Sequence, residues 1–509
     1  MIRRHIGNAG WSTAGFLIPT MALVLTTPVF TGRLGMDGFG VYSLVITLLG
    51  MNGLAAFGLT DAVTKFVSEQ GQMERARLMP IIQTASVLYS GLSIISSVAL
   101  FLSAPFLVDW VFKIDEGWRH DALQSLQVGA AAFGFRLMES FAGSIPLGFS
   151  RYDLINKVDI SSGLFLVGLQ TLILLGGYGI VPLVGCIIPV AAASMLIKFI
   201  MAAPLVGGFR AFIPRLHAGP CKRLFRFSAF TWLQGVNQIL SGQADRLIIA
   251  GLLGTQSLSY YVVCTRVASL VQILPARATS FIFPLASEQH ASGELPKLRK
   301  TYFTAQNFTI IVSLALAVPL FLYAPAVLSI WLGESTAGSA SSLLRILIVT
   351  YALLAGSILP FYYLNGAGLP GLNAAFGWAG SVLNILLLVV LLPPFQIVGA
   401  AAAKLGSHSL SLICYPVLHR KVFQDYRWYV GVLVVLPPII VFAALTLCIG
   451  SVKQPSDLTS LLLLCVASAL ATMLAAIPLV FLINPVLGTS LPSILGQVVG
   501  SVLRKHRNG

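Results

Sequence analysis

Residues 227–285, FSAFTWLQGVNQILSGQADRLIIAGLLGTQSLSYYVVCTRVASLVQILPARATSFIFPL, decide how this chain is read. The stretch is apolar enough to cross a membrane twice, with Gly251-Leu252-Leu253-Gly254-Thr255-Gln256-Ser257 as the turn. Yet it carries Asp245, Arg246, Arg266 and Arg277. It also carries a polar line, Gln234, Asn237, Gln238, Ser241 and Asp245, at helical spacing. Charge at membrane depth is costly and faces a partner or a water-filled cavity. The pair of helices is therefore the candidate centre of function, and the rest is its scaffold.

The same character extends over the whole chain. Its 509 residues are 57% hydrophobic and only 10% charged, with mean hydropathy +0.88. A soluble domain carries about 25% charged residues. Apolar runs of about 20 residues match a helix crossing roughly 30 Å of hydrocarbon, and membrane strands would be half as long. The expected fold is an all-α polytopic membrane protein with about fourteen transmembrane helices. The spans are 11–31, 39–60, 80–102, 122–147, 155–175, 180–203, 228–250, 258–283, 302–323, 341–364, 372–392, 397–418, 429–449 and 458–483.

The net charge of +15 does not mark a nucleic-acid binder, because the basic residues are sorted by loop. With the N-terminal side as inside, 21 of the 32 Lys and Arg fall in inside segments and 4 in outside loops. That asymmetry predicts cytoplasmic termini. Arg3 and Arg4 precede an apolar run with no small-residue cleavage site, so the run reads as an uncleaved first span. The six cysteines have no metal-ligand spacing and imply no disulfide framework. The domain reading follows: an N-lobe over 1–203, a basic, Pro- and Gly-rich cytoplasmic linker over 204–227, a C-lobe over 228–418, and two further spans over 419–483. The tail over 484–509 places Ile494, Leu495, Val498, Val499, Val502 and Leu503 on one face before Arg504-Lys505-His506-Arg507. That pattern suits an interfacial helix on an anionic leaflet.

The halves repeat. Leu34-Gly35 returns 219 residues later as Leu253-Gly254, Tyr42 as Tyr261, and Ser68-Glu69-Gln70 as Ser287-Glu288-Gln289. Ala104-Pro105 and Trp110 return as Ala324-Pro325 and Trp331, at offsets of 220 and 221. The offset spans six helices. Six is even, so both copies run the same way, as in parallel-repeat transporters. Two six-helix lobes related by a parallel pseudo-twofold axis are expected, with two extra C-terminal helices.

Several motifs carry a resemblance. They are Phe227-Ser228, Asp245-Arg246-Leu247-Ile248-Ile249, Leu253-Gly254 and Tyr260-Tyr261, with Gly32-Arg33-Leu34-Gly35, Phe39-Gly40-Val41-Tyr42 and Gly58-Leu59 nearer the N-terminus. With these the chain resembles the polysaccharide and O-antigen flippases of the multidrug/oligosaccharidyl-lipid/polysaccharide (MOP) exporter superfamily. The resemblance implies a bacterial inner-membrane protein that moves an undecaprenyl-diphosphate-linked glycan to the periplasmic leaflet. It also implies that the first two spans of each lobe line the cargo cavity.

Arg266 and Arg277 are eleven residues apart, which returns a helix to within about 20° of the same face and spaces them about 16 Å along it. Guanidinium suits a diphosphate because its fork donates two parallel hydrogen bonds and stays charged. The competing reading for both is snorkelling or a structural ion pair. Gln234, Asn237, Gln238 and Ser241 are candidate sugar contacts, against plain helix-to-helix polar contact. Asp245 and Arg246 are candidates for the cavity wall or for an ion pair at the helix end. Arg136 and Glu139, three residues apart, are a candidate ion pair. Lys198 and Arg345 are expected to snorkel.

Seven basic residues stand at membrane depth: Arg136, Lys198, Arg246, Arg266, Arg277, Arg345 and Lys404. The acidic counterparts are Glu139 and Asp245. The excess favours an anionic cargo. The second reading is a multidrug or cation antiporter of the same architecture, which needs a cavity carboxylate, with Asp245 the candidate. No sugar-nucleotide or metal motif speaks for an enzyme. No cofactor is expected. Transport would couple to a proton or sodium gradient or to the membrane potential. The expected partners are a polyprenyl-diphosphate-linked glycan, membrane lipids and other polysaccharide assembly proteins.

Overall fold

A computed structural model describes residues 2–70, 75–424, 442, 455 and 457–487. The span expected over 429–449 and nearly all of the tail from 484 lie outside these residues. Every regular element described is helical. Nine stretches among the described residues are long and apolar enough to cross a membrane. Three of them, Ile18–Ala55, Ile239–Ala278 and Pro370–Lys421, are long enough to hold two expected spans each. The span expected over 122–147 lies in the helix Glu116–Gly148. In lipid only a helix satisfies its own backbone, which is why these runs take no other form.

The chain divides into two compact units, Met1–Val263 and Cys264–Gly509. In the first unit, Glu116–Gly148 is the central helix. It packs on Ile2–Leu49, Arg75–Phe106 and Ile187–Ala202. Small buried residues, Ala130, Ala132, Gly143 and Ser144 among them, let these neighbours approach. In the second unit, Leu295–Leu322 packs on Glu334–Gly356 and Leu458–Leu487. Tyr302, Phe303, Tyr363, Tyr415 and Phe423 form a buried aromatic cluster in that unit. Large apolar side chains stay exposed along outward faces: Leu102 is 69% exposed and Leu474 70%. On a soluble protein such faces would aggregate; against acyl chains they are solvated.

Backbone breaks recur at the sequence offset. Gly35 (φ 70°, ψ 175°) interrupts the first helix, and 219 residues later Gly254 (φ 83°, ψ 177°) interrupts Ala218–Ala278 in the same conformation. Lys113 (φ 46°) and Gly333 (φ 94°) are 220 residues apart. Ser150 (φ 57°) and Gly368 (φ 75°) are 218 apart, and Gly177 (φ 80°) and Gln396 (φ 50°) are 219 apart. Just before the Ser150 and Gly368 breaks, a glycine lets a neighbouring helix in close. Gly148 abuts Val67, and Gly366 abuts Ser287.

Candidate functional site

The residues singled out between 234 and 277 all lie on Ala218–Ala278. The turn expected over seven residues is a single break at Gly254, with helical backbone on either side. The break is nonetheless a reversal. The Tyr261 hydroxyl donates to Asp245 Oδ2 at 2.6 Å. Sixteen residues of straight helix would hold these groups about 24 Å apart. The arms before and after Gly254 therefore fold back on each other, and Asp245, 1% exposed, is buried between them. Tyr261 was missed as a partner because a hydrogen bond across a reversal leaves no periodic trace in sequence.

The reversal is held against the first helix by a reciprocal contact within the first unit. Gly40 lies so close to the Thr255 carbonyl that a Cβ there would collide with it. Ser259 Oγ donates to the Met36 carbonyl. Met36 and Thr255 are 219 residues apart, and so are Gly40 and Ser259. Each segment therefore meets the other through equivalent positions. A glycine is required at 40 because the opposing atom is backbone and cannot yield.

Along the first arm, Asn237, Ser241 and Arg246 are half-buried. The side chains of Gln234 and Gln238 lie outside the described residues. On the second arm, in the second unit, Arg266 and Arg277 are both half-buried. The hydroxyls of Ser269 and Ser280 donate to the carbonyls of Arg266 and Arg277, each at 3.0 Å. Tyr362 donates to the Ala276 carbonyl at 3.2 Å, which brings its ring beside Arg277.

The other membrane-depth charges have found partners that the sequence did not indicate. Glu139 was expected to pair with Arg136. Its partner is Lys198, with Nζ 2.7 Å from Glu139 Oε1 and also 2.7 Å from Asp159 Oδ1. Lys198 is 6% exposed, so it is a buried bridge between three helices and does not snorkel. The i, i+3 rule failed because it compares neighbours on one helix only. Arg345 Nε donates to the Phe321 carbonyl at 3.3 Å, and its guanidinium lies 5.6 Å from the centre of the Phe321 ring. It therefore caps Leu295–Leu322 rather than reaching for headgroups. Lys404 is buried on Pro370–Ser409.

Known proteins resemble this chain over most of its length. A family model described as "Polysaccharide biosynthesis protein" matches residues 33–340. The "Putative O-antigen transporter" of Shigella flexneri is 21% identical over 78% of this chain and 93% of its own length. The "Probable flippase AglR" of Haloferax volcanii is 24% identical over 77% of this chain and 79% of its own. Among solved structures, the lipid II flippase MurJ in an inward closed conformation superposes with a TM-score of 0.66, at 13% identity, over 93% of this chain and 98% of MurJ. An inward-facing MATE family multidrug resistance transporter of the MOP superfamily gives 0.64 at 14% identity, over 81% of this chain and 98% of its own. These two likenesses fix the fold.

Proposed function

This chain belongs to the polysaccharide biosynthesis protein family, and we propose that it is a flippase for an undecaprenyl-diphosphate-linked oligosaccharide, acting by alternating access in surface polysaccharide synthesis. The observation that carries this reading is the charge balance at membrane depth. Basic residues are in excess, and the three carboxylates named above are already engaged, Asp245 by Tyr261 and both Glu139 and Asp159 by Lys198. A charge surplus of that sign recognises an anionic head group. The names of the Shigella and Haloferax relatives point the same way.

Arg266 and Arg277 are the proposed diphosphate contacts. They lie about 16 Å apart by helix geometry, too far for one diphosphate to bridge, so they engage it in succession. Asn237 and Ser241, with Gln234 and Gln238, are the proposed sugar contacts. No covalent step is involved, and the chain works as a transporter, not an enzyme. Supporting a duplicated, parallel two-lobe architecture are the recurrent backbone breaks and the reciprocal contact of Gly40 and Ser259. The proposed setting is a bacterial inner membrane with both termini in the cytoplasm, as the sorting of basic loops supports. The energy source is a proton or sodium gradient or the membrane potential.

The antiporter reading needs a cavity carboxylate that a cation can reach. Asp245 is buried and bonded to Tyr261, which argues against it. The deciding experiment removes the chain from its host and analyses lipid-linked glycans. The expected result is one such species accumulating on the cytoplasmic leaflet. Unchanged glycan lipids together with lost drug resistance would overturn the reading.

A further inference from the structure

Linker residues 209–217, in the first unit, lie as a strap across the helix Arg75–Phe106. Gln83, on that helix and 6% exposed, gathers them. Its Nε2 donates to the Arg210 carbonyl at 3.4 Å, and its own carbonyl accepts from the Arg215 amide at 3.4 Å. Its Oε1 lies 3.0 Å from His217 Nε2. The His217 amide donates to Thr84 Oγ1 at 3.2 Å. The short helical turn Phe209–Phe212 buries Ala211. It also sends the Phe212 ring inward, with its centroid 5.0 Å from that of Phe199 and 6.2 Å from that of Phe141.

These ties set the depth of the strap. Gln83 is five residues past Leu78, where the membrane-length run Leu78–Val111 begins, a rise of about 7.5 Å. Phe141 stands seven residues before Gly148, the last residue of its helix, or about 10 Å. Interfacial segments sit about 5–10 Å into the boundary between headgroups and acyl chains. The outward face of the strap has the composition that suits this layer. Phe209 and Leu216 are each 62% exposed, and Ile213 is 48% exposed. Arg210 and Arg215 are interleaved with them and are exposed too. Neither arginine is paired with a carboxylate among the described residues. Lys222, Arg223 and Arg226 follow, also exposed. The sequence holds no acidic residue between Asp159 and Asp245.

We propose that this strap docks on anionic phospholipid of the leaflet it lies in, the cytoplasmic one in the proposed orientation. Phe209, Ile213 and Leu216 sit among the first acyl carbons, and Arg210 and Arg215 bind the phosphodiester. Water alone would leave three large apolar side chains wet within eight residues. A zwitterionic headgroup brings its own cation, whereas an anionic one is matched by arginines that have no carboxylate partner. The ties to Gln83 and Thr84 hold the strap in shape before lipid arrives, so little ordering is left to oppose binding. The strap uses none of the proposed cargo contacts, so it stands even if the flippase reading falls.

The test uses the purified full chain in detergent and native mass spectrometry, with phosphatidylglycerol as probe and phosphatidylcholine as control. Wild type should bind the first phosphatidylglycerol more tightly than phosphatidylcholine. A basic residue at an anionic surface strengthens binding about fivefold, so Arg210→Gln/Arg215→Gln should weaken phosphatidylglycerol by about fivefold or more and leave phosphatidylcholine unchanged. Arg210→Lys/Arg215→Lys should keep wild-type affinity, because the leaflet attracts charge whatever its shape. Phe209→Ser/Leu216→Ser should weaken both lipids alike. Should the glutamine pair fail to fold, Arg215→Gln alone carries the comparison. Wild-type affinity in the glutamine variant would overturn the proposal, as would equal binding of the two lipids by wild type. Displacement of the lipid by an equal concentration of inorganic phosphate would also overturn it and assign the arginines to a free anion. So would unchanged phosphatidylglycerol binding together with a protein that co-purifies with wild type and is lost from the glutamine variant, which would give the strap a protein partner instead.

Discussion

Tyr261 and Asp245 are joined by a 2.6 Å hydrogen bond across the reversal at Gly254. The bond ties the second arm to the first where the backbone has just left helical geometry. A side-chain hydrogen bond contributes about 0.5–1.5 kcal/mol net. Tyr261→Phe should therefore lower the melting temperature of the purified protein clearly, and Asp245→Asn should lower it less, because an amide can still accept from the tyrosine. A double-mutant cycle measures the coupling. Wild-type melting of Tyr261→Phe would show that the bond holds nothing.

Arg266→Ala should abolish glycan export while the protein still inserts at normal levels. Arg266→Lys should restore only part of it, because an ammonium lacks the planar fork that binds a diphosphate with two parallel bonds. Surface glycan in a deletion strain carrying each variant is the readout. Full export by a well-expressed Arg266→Ala protein removes this residue from the cargo site.

The three-helix bridge at Lys198 allows a comparison of four variants. Lys198→Ala leaves Glu139 and Asp159 facing each other without their cation, and breaking a buried pair costs about 3–5 kcal/mol. Asp159 has a side chain 45% exposed, so Asp159→Asn should cost about 1 kcal/mol or less. Glu139→Gln should lie between them. Arg136→Ala should be nearly silent for stability, since Glu139 is held by Lys198. A large loss in Arg136→Ala would restore the i, i+3 pair as the dominant one.

Gly40→Leu should prevent folding, because any Cβ at position 40 meets the Thr255 carbonyl and backbone cannot step aside. Ser259→Ala removes only a hydroxyl from the mirror position and should cost about 1 kcal/mol. The yield of monodisperse protein after extraction separates the two outcomes. Equal yields would mean that the contact is not a tight one.

Much of the architecture was legible because a bilayer makes few demands and enforces them everywhere. Apolar length announced most spans, and the basic loops suggested their orientation. The pairing of Leu34-Gly35 with Leu253-Gly254 located two equivalent breaks from residue identity alone. The site was less legible. Arg266 and Arg277 stand out by charge, but the partners of Asp245 and Glu139 could not be read. Tyr261 reaches Asp245 only after the chain reverses, and Lys198 meets Glu139 from another helix, 59 residues on. Helical phase orders the residues of one helix and says nothing about which helix comes next to it.

The recurrent breaks also make the chain its own template for engineering. In three of the four matched positions one copy holds glycine while the other holds Lys113, Ser150 or Gln396 at positive φ. A side chain in left-handed backbone costs roughly 1–2 kcal/mol. Each such pair thus sets a relaxed residue beside a strained one, and the variants Lys113→Gly, Ser150→Gly and Gln396→Gly should each raise the melting temperature. A stabilised transporter for structural work can be drafted from a single sequence, with its second half consulted where others would consult a family.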